Sequence, residues 1–208
     1  IANECKKIKS TVVTVVGGPH VNGYPKHVVK YPSIDYAILW EGEEALLDLL
    51  NHIEEGIDLS NLPNLAFEKE GNCVVNPKRP YIEDLNTLPF PAWDLLNLDY
   101  YTDPAFFNGP HLGILSGRGC PFNCNFCASK VVWGRNTRVR SAISLADEIE
   151  IAIKEYNIGE FMFYDDTFTI NRNMVRLFHD EIVKRKMDIR FYAQVRVDTI
   201  DYELVKTL

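Results

Sequence analysis

Hydrophobic positions in the first sixty residues form two short apolar runs and then a helical repeat. Residues 11–16 and 34–39 are short and rich in β-branched or aliphatic side chains, as is typical of strands buried in a parallel sheet. The helical repeat that follows consists of Ala45, Leu46, Leu49, Leu50 and Ile53. The pattern therefore predicts two parallel strands, the first buried on both faces, and an amphipathic helix.

The second half of the chain alternates between apolar runs and helical repeats. The runs predicted to be strands are residues 111–116, 161–164 and 190–195. Capping side chains predict where the helices begin: Ser144 in a capping box with Asp147, Asn171 or Asn173, and Asp201. Gly159 is predicted to end the first of these helices. This alternation predicts βαβ units with parallel strands, whose carboxyl ends carry the functional groups.

Prolines set residues 61–110 apart from both flanking regions. They occur at positions 63, 77, 80, 89, 91, 104 and 110 and exclude long regular elements. Residues 65–67 and 73–75 flank the turn signal Glu70-Gly71-Asn72, which predicts a β-hairpin. We therefore expect a connecting region that contains one hairpin.

Three of the five cysteines fall within eight positions, as Cys120, Cys124 and Cys127 in a C-x3-C-x2-C pattern. Thiolates at this spacing are soft ligands that suit zinc or an iron–sulfur cluster. Structural zinc usually takes four protein ligands in two pairs, and no second pair follows here. Three cysteines on a cubane cluster would leave one iron open to a small molecule. The pattern favours a cluster, with a structural zinc module as the alternative.

This loop resembles that of the radical S-adenosylmethionine (SAM) superfamily, in the cysteine spacing, in Phe126 directly before the third cysteine, and in the apolar run before the loop. The resemblance implies a [4Fe-4S] cluster on the three cysteines, with SAM on the fourth iron. The cluster would cleave SAM reductively to methionine and a 5′-deoxyadenosyl radical. It also implies that Phe126 lies near the adenine of SAM. The alternative for Phe126 is plain packing in the hydrophobic core.

In the same family the segment after the second strand binds the SAM amino group, and Asp165-Asp166-Thr167 stands there. Adjacent residues on a strand face opposite sides, so one acid should point to the site, and Asp166 is favoured over Asp165. Arg196, after the third strand, is expected to pair with a carboxylate, a ribose or a substrate acid. A salt bridge at the barrel rim is the alternative for Arg196.

Residues 1–60 are similar to the last third of the cobalamin-binding domain that precedes the radical SAM domain in one subgroup. The similarity lies in the loops G-G-P-H and E-G-E after the two predicted strands, and it implies cobalamin contacts for Gly17, Gly18, His20, Gly42 and Glu43. Capping glycines of an ordinary α/β turn pair are the alternative. Trp40 stands where the family often has glycine. Residues 88–94, L-P-F-P-A-W-D, are similar to the linker between the two domains.

These expectations define an α/β chain in three parts. Residues 1–60 are the C-terminal part of a Rossmann-like cobalamin-binding domain, 61–110 a Pro-rich linker with a hairpin, and 111–208 the first half of a partial (β/α)6 radical SAM barrel. Each domain lacks strands at its outer end, so we expect a fragment of a longer protein that is inactive by itself.

Composition narrows the function. A net charge of −7 argues against nucleic acid as partner, and no apolar run is long enough to span a membrane. An odd cysteine count with three clustered indicates a reducing, cytoplasmic setting. We expect cobalamin-dependent methyl transfer or related radical bond formation on a small-molecule substrate, with an electron donor such as flavodoxin or ferredoxin. A cobalamin-independent radical SAM enzyme, such as a methylthiotransferase, is the alternative.

Overall fold

The computed structural model describes all residues 1–208 and divides into two compact units. The first contains Ile1–Ile82 and Cys124–Gly134, and the second contains Glu83–Asn123 and Arg135–Leu208. Both combine helices with sheets that contain parallel strands, which confirms the α/β class. No helix has both the length and the apolar character that crossing a membrane requires.

A four-stranded sheet in the order β1-β2-β3-β4 organises the first unit. Its strands are β1 (Val15–Val16), β2 (Tyr36–Ile38), β3 (Leu65–Lys69) and β4 (Asn72–Val75). β1 and β2 are parallel, as predicted, and β3 runs antiparallel to β2. β3 and β4 form the predicted hairpin, whose turn has Glu70 and Gly71 in the left-handed region, with φ of 54° and 79°. The hairpin extends the first sheet through the pairing of β3 with β2, so the expectation that it lies in a separate linker is wrong. The predicted domain limits, 1–60, 61–110 and 111–208, stay a prediction.

The first strand is shorter and more exposed than the sequence predicts. Only Val15 and Val16 form β1, which lies at the edge of the sheet and is half-buried, so the prediction of a strand buried on both faces is wrong. The preceding backbone is bound by a side chain instead: Thr14 N–H and Oγ1 donate to Asp35 Oδ2 at 2.6 and 2.8 Å. Lys6 Nζ pairs with the same carboxylate at 2.6 Å. These bonds to the Asp35 side chain take the place of the backbone hydrogen bonds that would lengthen the ladder between β1 and β2.

Five helices surround the first sheet: α1 (Ala2–Ile8), α2 (Pro19–Gly23), α3 (Pro25–Val28), α4 (Glu43–Glu55) and α5 (Ser129–Val132). The predicted amphipathic helix is α4, which ends at Gly56 in the left-handed region (φ 68°). Ala45 and Leu49 are buried, but Leu46 and Leu50 are exposed, contrary to their predicted core positions. The apolar face of α4 is wider than the part of the helix surface that the short sheet covers, so its outer residues remain exposed.

The second unit contains the predicted βαβ repeat. Its strands are β5 (Leu112–Ile114), β6 (Gly117–Arg118), β7 (Arg138–Val139), β8 (Glu160–Phe163) and β9 (Arg190–Ala193), and its helices are α6 (Ala142–Tyr156), α7 (Arg172–Lys184) and α8 (Tyr202–Thr207). The three long strands form a parallel sheet in the order β5-β8-β9. This arrangement brings the carboxyl ends of β5, β8 and β9 to one edge.

Helix boundaries in the second unit follow side-chain caps. Asn171 Oδ1 accepts from Met174 N–H at 3.0 Å, and Asp201 Oδ1 accepts from Leu204 N–H at 2.9 Å, which confirms both predicted caps. Ser144 was the wrong cap for α6, because Ser141 precedes the helix in extended conformation and its Oγ accepts from Ser144 N–H at 3.1 Å. Gly159 does not end α6, since Asn157 already adopts the left-handed conformation (φ 56°).

An aromatic core fixes the sheet of the second unit against its helices. Four phenylalanine rings are fully buried: Phe161, Phe163, Phe168 and Phe178. Phe163 on β8 contacts Phe168, directly beyond the strand, with ring centroids 4.6 Å apart. The Pro-rich segment 88–94 also belongs to this unit: Trp93 is buried in the same core and the Phe90 ring lies beneath Arg140. The buried contact between Phe163 and Phe168 holds residues 164–171, which connect β8 to α7, in one conformation.

Candidate metal and cofactor site

A two-stranded ladder closes the neck of the cysteine loop. β6 pairs with β7 in antiparallel register, so the residues before Cys120 lie against residues 136–139. A Cβ on Gly117 would lie 2.8 Å from Arg138 O, and one on Gly119 (φ 91°) only 2.2 Å from Asn136 O. Both glycines are therefore required by close backbone approach, which is the physical basis of the G-R-G-C sequence.

The three cysteines lie on chain segments that belong to different compact units. Cys120 is in the second unit, where its Sγ lies 4.0 Å from Thr167 Oγ1 beyond β8. Cys124 and Cys127 are in the first unit, and Cys127 Sγ accepts from Ser129 N–H at 3.5 Å. No group of three or more His, Cys, Asp or Glu side chains is arranged to hold a metal ion. None of the three cysteines is in a disulfide, and three thiols on one loop are the donor set that an iron–sulfur cluster takes.

Phe126 is 93% exposed on this loop. The alternative of plain core packing is thereby wrong for this residue, because nothing in the structure covers the ring. Its contact with adenine stays a prediction.

The two acids beyond β8 have different surroundings. Asp165 is buried, and its carboxylate accepts from Ser116 N–H at 3.1 Å and from Ser116 Oγ–H at 2.6 Å, which joins the ends of β5 and β8. Asp166 is exposed. Both acids lie beyond the end of β8 at Phe163, so what the structure gives is a difference in exposure between them. The contact of Asp166 with the SAM amino group stays a prediction.

Burial raises the pKa of the Asp165 carboxyl above its ordinary value of 3.8, although hydrogen bonds from Ser116 and Gly117 act in the opposite direction. The folded state then holds this proton more tightly than the unfolded state. The contribution of Asp165 to the free energy of unfolding is therefore largest below pH 3.8, and it is lost as the pH rises through the raised pKa. We expect the wild type to lose stability relative to Asp165→Asn over that interval, measured by denaturant titration at each pH. A difference that grows with pH in favour of the wild type would contradict this assignment.

Arg196, beyond β9, is engaged by groups of the second unit. Its guanidinium lies 3.8 Å from the centroid of the Phe122 ring, in the cysteine loop, and donates to both oxygens of Asp198 at 2.9 and 2.7 Å. These bonds lower the pKa of Asp198. A salt bridge, which was the alternative for Arg196, is thus present, and the pairing of Arg196 with a cofactor or substrate acid stays a prediction.

In the first unit, the carboxyl ends of the parallel strands β1 and β2 open into a recess of about 420 Å³. Its lining is largely apolar and consists of Val15, Val16, Gly17, Ile38, Gly42, Glu43 and Leu46. Three of the five predicted cobalamin-contacting residues therefore share one cavity. Gly18 (φ 99°) and His20, which packs on Tyr24 with ring centroids 5.7 Å apart, lie outside that lining.

The two predicted cofactor segments meet within the first unit. α2, which begins at the G-G-P-H loop, contacts α5, which follows Cys127. Cys124–Gly134 thus packs with the N-terminal sheet although some forty residues separate it from Ile82.

Trp40 occupies a backbone conformation that favours glycine. Its φ is 57°, and Trp40 N–H is held by Asn22 Oδ1 at 2.7 Å. A left-handed conformation costs an L-residue about 1–2 kcal/mol. The subgroup that residues 1–60 resemble often has glycine at this position. Trp40 differs from that glycine in its side chain but has the left-handed backbone conformation that glycine favours.

We expect Trp40→Gly to be more stable than Trp40→Ala by about 1 kcal/mol, because both lose the ring and only glycine relaxes the backbone. The free energy of unfolding from denaturant titration measures this. Leu46, exposed within α4, is the matched control: there the alanine variant should be more stable than the glycine variant by about 1 kcal/mol. Equal stability of the two Trp40 variants would refute the strain.

Sequence reasoning missed several residues that shape the site. Ser116 stands at the end of a predicted strand, a location that could have marked it. Arg140 and Tyr81 carry no local signal, because their partners are distant in sequence or recognisable only in the fold.

Comparison with known proteins gives one family match. Residues 114–208 match the model described as the Radical SAM superfamily. An uncharacterized methyltransferase of Pyrococcus horikoshii, PH0819, is 32% identical over 209 residues, which cover 100% of this chain and 45% of that protein. The anaerobic magnesium-protoporphyrin IX monomethyl ester cyclase of Rubrivivax gelatinosus is 31% identical over 200 residues, 94% of this chain and 36% of that protein. The chain thus spans less than half the length of these relatives.

A solved structure has the same fold. TsrM of Kitasatospora setae, a radical S-adenosylmethionine methyltransferase with cobalamin and a [4Fe-4S] cluster bound, matches with a TM-score of 0.72 and 21% identity. The match covers 99% of this chain and 42% of that one. At this identity the likeness concerns the fold, and it extends over both compact units.

Proposed function

We propose a function for this chain on the premise that it belongs to the radical SAM superfamily, whose model matches residues 114–208. Cys120, Cys124 and Cys127 ligate a [4Fe-4S] cluster, and SAM occupies the iron that they leave open. When bound, these cofactors supply one-electron cleavage of SAM and a 5′-deoxyadenosyl radical. Residues 111–208 act as the first half of the partial barrel that holds them.

The chain's own residues position SAM around this loop. Thr167 lies beside Cys120, so the segment beyond β8 is at the cluster loop. Asp165 holds that segment to β5 through Ser116, and the exposed Asp166 beside it accepts from the SAM ammonium group. Exposed Phe126 is available to cover the adenine, and Arg196 with Phe122 lines the same edge.

Cobalamin is the second cofactor in this proposal. Residues 1–60 act as the end of a cobalamin-binding domain, in which Gly17, Gly42 and Glu43 line the recess at the ends of β1 and β2, with Gly18 and His20 beside it. The observation that carries the proposal is that these loops fold into one unit with the segment of Cys124 and Cys127. TsrM, with the same fold, was solved with both cofactors bound.

The proposed reaction is methyl transfer, or a related radical bond formation, on a small-molecule substrate in the cytoplasm. An electron donor such as flavodoxin or ferredoxin supplies the electron for SAM cleavage. The methyltransferase and the cyclase among the relatives support these two outcomes. The family match argues against the zinc module, and the apolar recess argues against the cobalamin-independent alternative.

A corrinoid titration tests the cobalamin assignment. Hydroxocobalamin added to the purified protein should shift its visible bands, and Gly42→Val should weaken binding about tenfold or more, because the branched side chain would occupy part of the recess that Gly42 lines. Gly109→Ala, where a Cβ meets nothing within 4 Å, is the control and should bind like the wild type. No band shift with the wild type would favour the cobalamin-independent enzyme.

A further inference from the structure

We propose that Tyr81 is a positioning residue that fixes the segment carrying Cys124 and Cys127 against the E-G-E loop. The inference rests on the proposed function, since it assumes that these cysteines ligate the cluster. All contacts that carry it lie within the first compact unit.

Tyr81 contacts the chain directly after the cysteine loop. Its Oη donates to Val132 O at 3.2 Å, across 51 positions of sequence. Gly134 is in the left-handed conformation (φ 73°), and a Cβ there would lie 3.0 Å from Tyr81 Cε2. The ring therefore lies on the backbone of residue 134, and its hydroxyl holds the last turn of α5.

The segment that Tyr81 contacts contains no fully buried residue. α5 is a single turn of four residues, Ser129–Val132, and none of them is fully buried. Phe126 and Cys127, immediately before it, are exposed. A short turn without buried apolar residues depends on contacts with other elements, and Tyr81 and α2 are among those that hold α5.

Tyr81 is itself held by residues around the E-G-E loop. Lys78 Nζ lies 3.4 Å from the Tyr81 ring centroid and 5.4 Å from that of Trp40. Next to Tyr81, Ile82 N–H donates to the buried Glu41 carboxylate at 2.7 Å. Glu41 O in turn accepts from Asn64 Nδ2 at 3.1 Å.

These contacts form a continuous connection between the two predicted cofactor loops. It runs from Glu41 and Trp40, beside Gly42 and Glu43, through Tyr81, to the chain five to seven residues after Cys127. The E-G-E loop and two of the three cysteine ligands are thereby held in a fixed relation. This connection gives a role to Lys78 and Tyr81, two residues of the Pro-rich region to which no sequence pattern assigns one.

Removal of the hydroxyl tests the proposal. We expect reconstituted Tyr81→Phe to contain as much iron as the wild type but to lose it to an anaerobic ferrous chelator about 5-fold faster, because one hydrogen bond no longer opposes opening of the segment. Lys78→Met, which removes the cation above the ring, should accelerate release about 2- to 3-fold. The electron paramagnetic resonance (EPR) signal of the reduced cluster in Tyr81→Phe should be broadened by the wider range of ligand geometries.

Tyr31→Phe is the matched control, an exposed tyrosine of the same unit that contacts His27, and it should release iron at the wild-type rate. The thermal unfolding midpoints of Tyr81→Phe and Tyr31→Phe should stay within about 4 °C of the wild type, as expected for the loss of one hydrogen bond in a chain of this size. Tyr81→Phe and Lys78→Met both releasing iron at the wild-type rate, or Tyr31→Phe accelerating release as much as Tyr81→Phe, would overturn the inference alone. A wild type that assembles no cluster would overturn the proposed function as well.

Discussion

Cys124→Ala is expected to abolish assembly of the iron–sulfur cluster. After anaerobic reconstitution with iron and sulfide, the wild type should hold about four irons per chain and absorb near 400 nm, as a thiolate-bound [4Fe-4S] cluster does. With one of three thiolates gone, the remaining two cannot retain a cubane, so iron should fall to below about one per chain. Iron and sulfide analysis with visible absorption measures both.

Cys73→Ala and Cys5→Ala are the controls for this result. Both cysteines are free and partly buried, and neither belongs to the C-x3-C-x2-C pattern. Cys73 lies on β4, where burial raises the pKa of its thiol and so disfavours the thiolate. Both variants should keep the wild-type iron content. Equal iron in Cys124→Ala and the wild type would show that the ligand set is wrong.

Glu148→Ala is expected to destabilise the second unit by about 3 kcal/mol or more. The Glu148 side chain is 3% exposed and pairs with Arg140, which is 12% exposed. Burial raises the pKa of Glu148, and Arg140 opposes that rise. Without the carboxylate, the guanidinium keeps only its bonds to Ser144 and Leu115 O and remains buried with uncompensated charge. The free energy of unfolding from denaturant titration gives the loss.

Arg140 also lies at the neck of the cysteine loop, where its backbone N–H donates to Ser116 O at 2.8 Å next to the β6–β7 ladder. Glu148→Gln keeps an acceptor in place and should cost less than Glu148→Ala. Lys154→Ala, which removes the exposed pair with Glu150, should change stability by less than about 0.5 kcal/mol. A loss as small for Glu148→Ala as for Lys154→Ala would contradict the structural role of the buried pair.

Local signals in the sequence predicted the features whose partners are near in the chain. Asn171 and Asp201 cap helices three residues away, and the turn at Glu70 and Gly71 fixes its own hairpin. The strand runs also gave the parallel sheet, because β-branched and aromatic residues fit a buried pleated surface. Two predictions failed because a side chain bound the backbone first. Asp35 binds the backbone of Thr14 in place of a longer β1, and Ser141 caps α6 ahead of Ser144.

The site divides in the same way. Cysteine spacing and the difference in exposure between Asp165 and Asp166 involve a few neighbouring residues and could be predicted. Tyr81 and Val132 meet across 51 positions, and Glu41 and Ile82 across 41. No pattern in either segment indicates such pairs, because each depends on how the whole first unit packs.

Addition of SAM to the reduced, reconstituted protein tests the central claim most directly. If three cysteines hold a cubane and leave one iron open, the EPR spectrum of the reduced cluster should change when SAM binds that iron. Stoichiometric zinc in protein purified without oxygen, together with no EPR signal that responds to SAM, would contradict the account.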